Sequence, residues 1–145
     1  MRKPKAPTTA SPPTETELRI LRILWELGPS PVREVHKRFE ADKGTNYSTT
    51  VKMLAVMLRK GLLERDEQAQ PHIYRPVLSR EKTGTRLLRD LIDKVYNGSA
   101  MSVALQALST GRATREELDE ARRLLDAMEK RDENGGGTVK EGEVS

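Results

Sequence analysis

The run Asn46-Tyr47-Ser48-Thr49-Thr50-Val51-Lys52-Met53-Leu54-Ala55-Val56-Met57-Leu58-Arg59-Lys60-Gly61 most narrows what this chain can fold into. At about 100° per residue it predicts one helix with Thr50, Val51, Leu54, Met57 and Leu58 on an apolar side. Ser48, Thr49, Lys52, Ala55, Val56 and Arg59 fall on the other side. An ordinary solvated face would be richer in Glu and in long charged side chains. A face of Ser, Thr, Ala and Lys is low enough to enter a DNA groove, where hydroxyls meet base edges or phosphates and a methyl can meet thymine. On these residues alone, a solvated face and a groove-facing one are about equally supported.

Two helical patterns come earlier. Thr14-Glu15-Thr16-Glu17 has the spacing of a capping box. Behind it, Leu18, Ile20, Leu21, Ile23, Leu24, Trp25 and Leu27 make a helix apolar over much of its circumference, suited to the centre of a small core. Gly28-Pro29 ends it. Ser30-Pro31 opens a second helix, with Pro31 expected at its first position and Val32, Val35 and Phe39 on one face. Ala41 to Thr45 reads as a polar loop, and Asn46 or Ser48 caps the third helix.

After Lys60-Gly61 the period changes. Leu62 to Asp66 and His72 to Val77 read as short strands separated by the polar segment Glu67 to Pro71. Pro71 and Pro76 place them in a hairpin or at an edge. The fold class expected is therefore mainly α. Residues 14–78 form a winged helix-turn-helix domain, in which three helices precede a β-hairpin wing, and a helical region follows.

That region, residues 79–130, has Ser79 capping a helix with Leu87, Leu88, Leu91, Ile92 and Val95. Tyr96-Asn97-Gly98 breaks it. Ser99 caps a short helix with Met101, Val103, Ala104, Leu105, Ala107 and Leu108, and Ser109 to Arg112 is a loop. Thr114 with Glu117 opens a last helix carrying Leu118, Ala121, Leu124, Leu125 and Met128. Three such helices are too few for an independent core, so a two-fold homodimer is expected to cover them.

Composition limits the chemistry. Without cysteine there is no disulfide, thiolate metal site or cysteine nucleophile. His36 and His72 lack partners at ligand spacing, so no metal and no cofactor is expected. His36 is expected to be a half-exposed residue of the second helix, and His72 a strand residue near the hairpin. No nucleophile–base pair or phosphate loop suggests an enzyme. No run is apolar enough to cross a membrane, and the N-terminal residues lack the apolar stretch of a secretory signal, so a cytoplasmic protein is expected. The net charge of +4 is uneven, since residues 14–78 hold eleven basic and nine acidic side chains. Placement matters more than the total: Lys52, Arg59 and Lys60 lie along one helix, and Arg65 and Arg75 on the hairpin. Residues 1–13, a Pro- and Thr-rich arm with three basic residues, and the tail 131–145 are expected to be disordered.

The ordered set of Thr14-Glu-x-Glu17-Leu with Leu24-Trp25, Tyr47 to Leu54, Arg59-Lys60-Gly61-Leu62-Leu63, Ile73-Tyr74-Arg75-Pro76 and Tyr96 to Ser99 resembles the penicillinase repressor family (BlaI/MecI/CopY type). The resemblance runs from about Thr14 to Met128. It implies a homodimeric winged-helix transcriptional repressor. Such a protein binds the two-fold related half-sites of a pseudo-palindromic operator through the major groove and occludes a promoter. It further implies that Ser48, Thr49 and Lys52 face the groove, that Tyr47 is the DNA-binding aromatic at the helix entrance, that Arg59 meets the backbone, and that Arg65 and Arg75 belong to the wing. Leu87, Leu91, Ile92, Met101, Leu105, Leu118, Leu124 and Leu125 match the dimer-forming region.

For members induced by proteolysis the resemblance also implies an upstream sensor peptidase. Those members carry an Asn-Phe cleavage pair where this chain has Gln106-Ala107. The copper-responsive branch carries C-terminal cysteines that are absent here, which excludes thiolate copper sensing. The competing reading is a winged-helix protein–protein interaction module, favoured by the nearly balanced charge of residues 14–78. The small polar face of the third helix argues against it, because protein hot spots favour Trp, Tyr and Arg.

Overall fold

A computed structural model describes residues 12–135 of the chain. The described elements are α1 (Glu15–Leu27), α2 (Val32–Lys43), α3 (Tyr47–Arg59), β1 (Leu63–Asp66), β2 (Ile73–Pro76), α4 (Arg80–Val95), α5 (Ala100–Thr110) and α6 (Arg115–Gly135). The chain divides into two compact units, Met1–Leu91 and Ile92–Ser145.

In the first unit, three helices followed by an antiparallel hairpin give the winged helix-turn-helix order. The capping box at Thr14 is present in both directions: the Glu17 amide donates to Thr14 Oγ1, and the Thr14 amide to Glu17 Oε1. Ile20, Leu21, Ile23 and Leu24 of α1 bury against Val35 and Phe39 of α2, Leu54 and Met57 of α3, and Leu63 of β1. Each such side chain contributes about 1.5–3 kcal/mol on removal from water. Leu27, expected to share that core, is exposed at the last residue of α1. Trp25 covers the edge of the core and donates its indole N–H to the Leu78 carbonyl at 3.1 Å.

Two local expectations need correction. Pro31 is the N-cap of α2 rather than its first helical residue, and Ser30 before it is drawn into the sheet. Ser30 forms an isolated antiparallel bridge with Tyr74, amide to carbonyl at 3.0 and 2.8 Å in the two directions. Residues 41–43 continue α2 instead of forming a loop, and the helix stops only at Gly44, whose φ of 67° suits a residue without Cβ.

The hairpin pairs Leu63 with Pro76, Glu64 with Arg75, Arg65 with Tyr74 and Asp66 with Ile73. Leu62, His72 and Val77 lie just outside the strands, although the Val77 amide still donates to the Leu62 carbonyl.

Ser79 Oγ accepts the Lys82 amide at the start of α4, and Thr83 one turn on is buried. The turn after α4 uses Asn97 at φ 50° and Gly98 at φ 84°, the conformations that Asn-Gly adopts most readily. Ser99 caps α5 through the Ser102 amide, and Thr114 with Glu117 forms the second capping box at α6. The loop expected from Ser109 begins later, because α5 holds its geometry through Thr110. The last helix likewise runs to Gly135, through five residues that the sequence pattern assigns to a tail. Residues 1–11 of the expected arm and 136–145 of that tail lie outside the described residues.

From Ile92 to Gly135 no described residue is buried. Val95, Met101, Leu105, Leu108, Leu124, Leu125 and Met128 all stand exposed, as do Leu88 and Leu91 of α4. Leu87, Ile92 and Leu118 are half-buried. These helices are amphipathic, but among the described residues no core covers their apolar sides.

Candidate nucleic-acid interface

Thr50, Leu54 and Met57 fix which way α3 faces, since all three are buried. The opposite side presents Ser48, Lys52, Ala55 and Arg59 to solvent, with Thr49 exposed at its flank. Four of the residues singled out in the sequence therefore lie together on one outward surface. Val51 does not belong with the core, as the sequence period suggested. It is 41% exposed, since it lies about 90° around the helix from the buried stripe. Val56, by contrast, is half-buried.

Asn46 organises the first turn. Its Oδ1 accepts the Thr49 amide at 3.0 Å, the Thr49 hydroxyl at 2.9 Å and the Ser48 hydroxyl at 3.1 Å. A hydroxyl has one donor and two acceptor positions. With both donors directed at Asn46, Ser48 and Thr49 turn acceptor lone pairs outward, the complement of exocyclic base amino groups. No acidic residue occupies the first turn of α3, so the positive end of its dipole is uncompensated by charge.

Tyr47 is 46% exposed at the helix start and packs edge-on against His36 of α2, with ring centroids 5.2 Å apart. His36 is half-buried, with its side chain 14% exposed. Its Nδ1 lies 2.8 Å from the Thr50 hydroxyl, and its Nε2 3.5 Å from Glu40. The imidazole thus joins α2 to the buried side of α3 while bracing the aromatic at its entrance. Position 36 is four residues after Val32 and three before Phe39, which placed it at the margin of the apolar face.

Lys60 is withdrawn from the cationic row the sequence drew along this helix. It is the C-cap residue of α3, and its ammonium binds Glu17 of α1. Glu17 is buried because it shares the inward side of α1 with Ile20 and Leu24, a spacing visible in the sequence but read there only as a cap. Burial pushes its carboxyl up, yet hydrogen bonds from Lys60 and the Thr14 amide outweigh that and hold it below the usual glutamate range. Lys52 and Arg59 have no ion-pair partner among the described residues.

The wing arginines are not brought together. Alternation along the strands puts Arg75 with Glu64 on one hairpin face and Arg65 with Tyr74 on the other. Arg75 is exposed and bridges Glu64 at 3.2 Å. Arg65 is half-buried, lies over the Tyr74 ring at 5.9 Å and binds Glu67 at 2.6 Å. Hydrogen bonds to Tyr74 and Glu67 raise the Arg65 guanidinium above its ordinary value, and the Arg65 contact lowers the Glu67 carboxyl.

Among the described residues no group of His, Asp or Glu is arranged to hold a metal ion, and no helix is long and apolar enough to cross a membrane. Gln106 and Ala107 are exposed on α5. The Gln106 carbonyl accepts the hydroxyls of Ser109 and Thr110.

Comparison with known proteins agrees with this architecture. The family model described as Penicillinase repressor matches residues 13–127. The chain is also similar to a protein of Bacillus licheniformis named "Penicillinase repressor", 21% identical over 118 residues, which span 81% of this chain and 92% of that protein.

Proposed function

Because the chain belongs to the penicillinase repressor family, whose members are DNA-binding transcriptional repressors and not enzymes, we propose that it acts as a homodimer on a pseudo-palindromic operator and occludes the promoter there. One observation carries the proposal. The outward side of α3 presents Ser48, Lys52 and Arg59 to solvent, and no carboxylate occurs anywhere between Asp42 and Glu64. Such a surface suits a polyanion with base edges at its centre.

In this proposal residues 14–78 bind DNA and residues 79–130 hold the dimer. Tyr47, Ser48, Thr49 and Lys52 enter the major groove, and Arg59 meets a phosphate. On the wing, Arg75 contacts the backbone by exchanging Glu64 for phosphate, while Arg65 holds the hairpin in shape from its other face. The exposed apolar residues Leu91, Met101, Leu105, Leu124 and Leu125, with the half-buried Leu87, Ile92 and Leu118, support a two-fold partner. Two recognition helices in such a pair would be spaced by about 34–36 Å, one turn of duplex. The site of action is the cytoplasm, where a bacterial operator is accessible, and an upstream sensor peptidase is the proposed source of the inducing signal.

A protein-docking module would share the balanced charge of the winged-helix unit, but the outward side of α3 offers Arg59 alone among the side chains that anchor protein pockets, beside small polar groups. Selection of genomic fragments on the full-length protein, followed by gel shifts at several salt concentrations, tests the proposal. A palindromic sequence bound far more tightly than bulk DNA is expected. Release from every fragment at the same modest salt would overturn it.

A further inference from the structure

We propose that Val51, with Ala55 beside it, reads the C5-methyl group of a thymine in each operator half-site and is a specificity-determining residue of this protein. The inference rests on the DNA-binding reading above and names the base that one part of the surface recognises.

Val51 is an exposed isopropyl group on a helix whose other aliphatic side chains of that size are buried or half-buried. Between residues 12 and 78 the exposed large hydrophobic side chains are Leu27, Tyr47 and Val51, and two of these three lie on α3. Tyr47 packs on His36, whereas no ring contact, polar partner or core membership accounts for Val51. Ser48, Val51, Lys52 and Ala55 follow the spacing i, i+3, i+4, i+7, so they share one strip of the helix, and all four are exposed. The strip therefore has a hydroxyl at its start, an ammonium along one side and two short apolar groups along the other.

The occupant follows from chemistry. The lack of carboxylates from residue 43 to residue 63 favours an anionic partner. Two short aliphatic groups are too small to anchor a protein interface. The major groove offers one aliphatic group among its base edges, the thymine methyl, and small apolar side chains are what meet it. Removing one methyl from such a contact weakens binding about threefold to fivefold.

The test replaces each thymine of the selected operator by deoxyuridine, one symmetric pair at a time, and measures binding by full-length wild-type protein and by Val51→Ala and Lys52→Ala. Deoxyuridine keeps the Watson–Crick and groove hydrogen bonds and removes only the methyl. At one symmetric pair we expect the wild type to lose about threefold to fivefold per half-site. Val51→Ala should lose as much on natural operator and show a clearly smaller preference for thymine over deoxyuridine there. Lys52→Ala should bind more weakly throughout yet retain the distinction. Alanine has the higher helix propensity at this exposed position, and thermal melting checks that the variant is folded.

Specific operator binding that is indifferent to every deoxyuridine pair, or equal thymine preference in wild type and Val51→Ala, overturns this inference and leaves the repressor reading standing. Failure of the wild type to prefer any sequence overturns the repressor reading, and this inference with it.

Discussion

Lys60, the residue that ends α3, binds Glu17 in the first turn of α1, Nζ to Oε2 at 2.8 Å, with the Glu17 side chain only 4% exposed. The same carboxyl group caps its own helix through the Thr14 amide. One side chain therefore fixes the start of the first helix and the end of the third.

Lys60→Ala removes the cation and leaves that carboxyl without its partner. Breaking a fully buried pair costs about 3–5 kcal/mol. The Lys60 side chain here is 38% exposed, so a loss of about 2 kcal/mol is expected in urea unfolding of the full chain. Lys60→Arg should keep most of the stability. A surface-like loss below about 0.5 kcal/mol would show that the pair contributes little.

Acid should find the same place. Glu17 has a folded-state pKa below its ordinary value, so its contribution to stability is present above the usual glutamate range of about 4.3. It fades as pH falls through the lowered value. Melting of the wild type between pH 7 and pH 3 should therefore show a steep acid limb. Glu17→Gln should be less stable at neutral pH and should show a shallower limb.

The Thr50 hydroxyl is fully buried and meets His36 at 2.8 Å. Thr50→Val keeps the volume and removes the hydrogen bond, so about 1 kcal/mol should be lost in chemical denaturation. His36→Phe should cost more, because a ring without ring nitrogens would face the hydroxyl with no partner. Equal stability of wild type and Thr50→Val would count against this brace between α2 and α3.

Much of this was legible in the sequence, and the gaps have physical reasons. Thr14-Glu17, Ser99 and Thr114-Glu117 declare their helix starts by local chemistry, and the structure makes those caps. Ser48, Lys52 and Arg59 emerged from period alone. Val51 did not, because it lies at the edge of the apolar stripe, about 90° around the helix from the buried axis of Thr50, Leu54 and Met57. The Lys60–Glu17 pair was not legible, because its partners lie 43 residues apart and no local pattern announces such a contact. The Ser30 bridge was hidden for the same reason: one residue before a proline carries no strand signal.

The two wing arginines should respond differently to substitution. Arg75→Ala breaks only an exposed pair with Glu64, so stability should change by less than about 0.5 kcal/mol. The salt dependence of operator binding should become shallower by about one ion. Arg65→Ala removes the group lying over Tyr74 and bound to Glu67, and should lower the melting temperature more than it alters the salt slope. Identical behaviour of the two variants would contradict the face assignment.

The exposed apolar residues after Ile92 give the last prediction. Leu105→Asp together with Leu124→Asp places charge on apolar surfaces that stand exposed among the described residues. Sedimentation should show wild type at twice the chain mass and the variant at one. Operator affinity should fall with it, although Lys52 and Arg59 are untouched. A wild type that sediments as one chain at micromolar concentration would overturn the paired state.

The stitch from Ser30 to Tyr74 has a mechanical outcome for the hairpin. A two-stranded ribbon on its own is marginally stable and free to swing. Here its second strand is clamped to the corner between α1 and α2 by a reciprocal pair of main-chain bonds. The ribbon consequently behaves as a rigid outrigger instead of a hinged flap, and thermal motion that displaced it would first have to loosen the corner that orients α2.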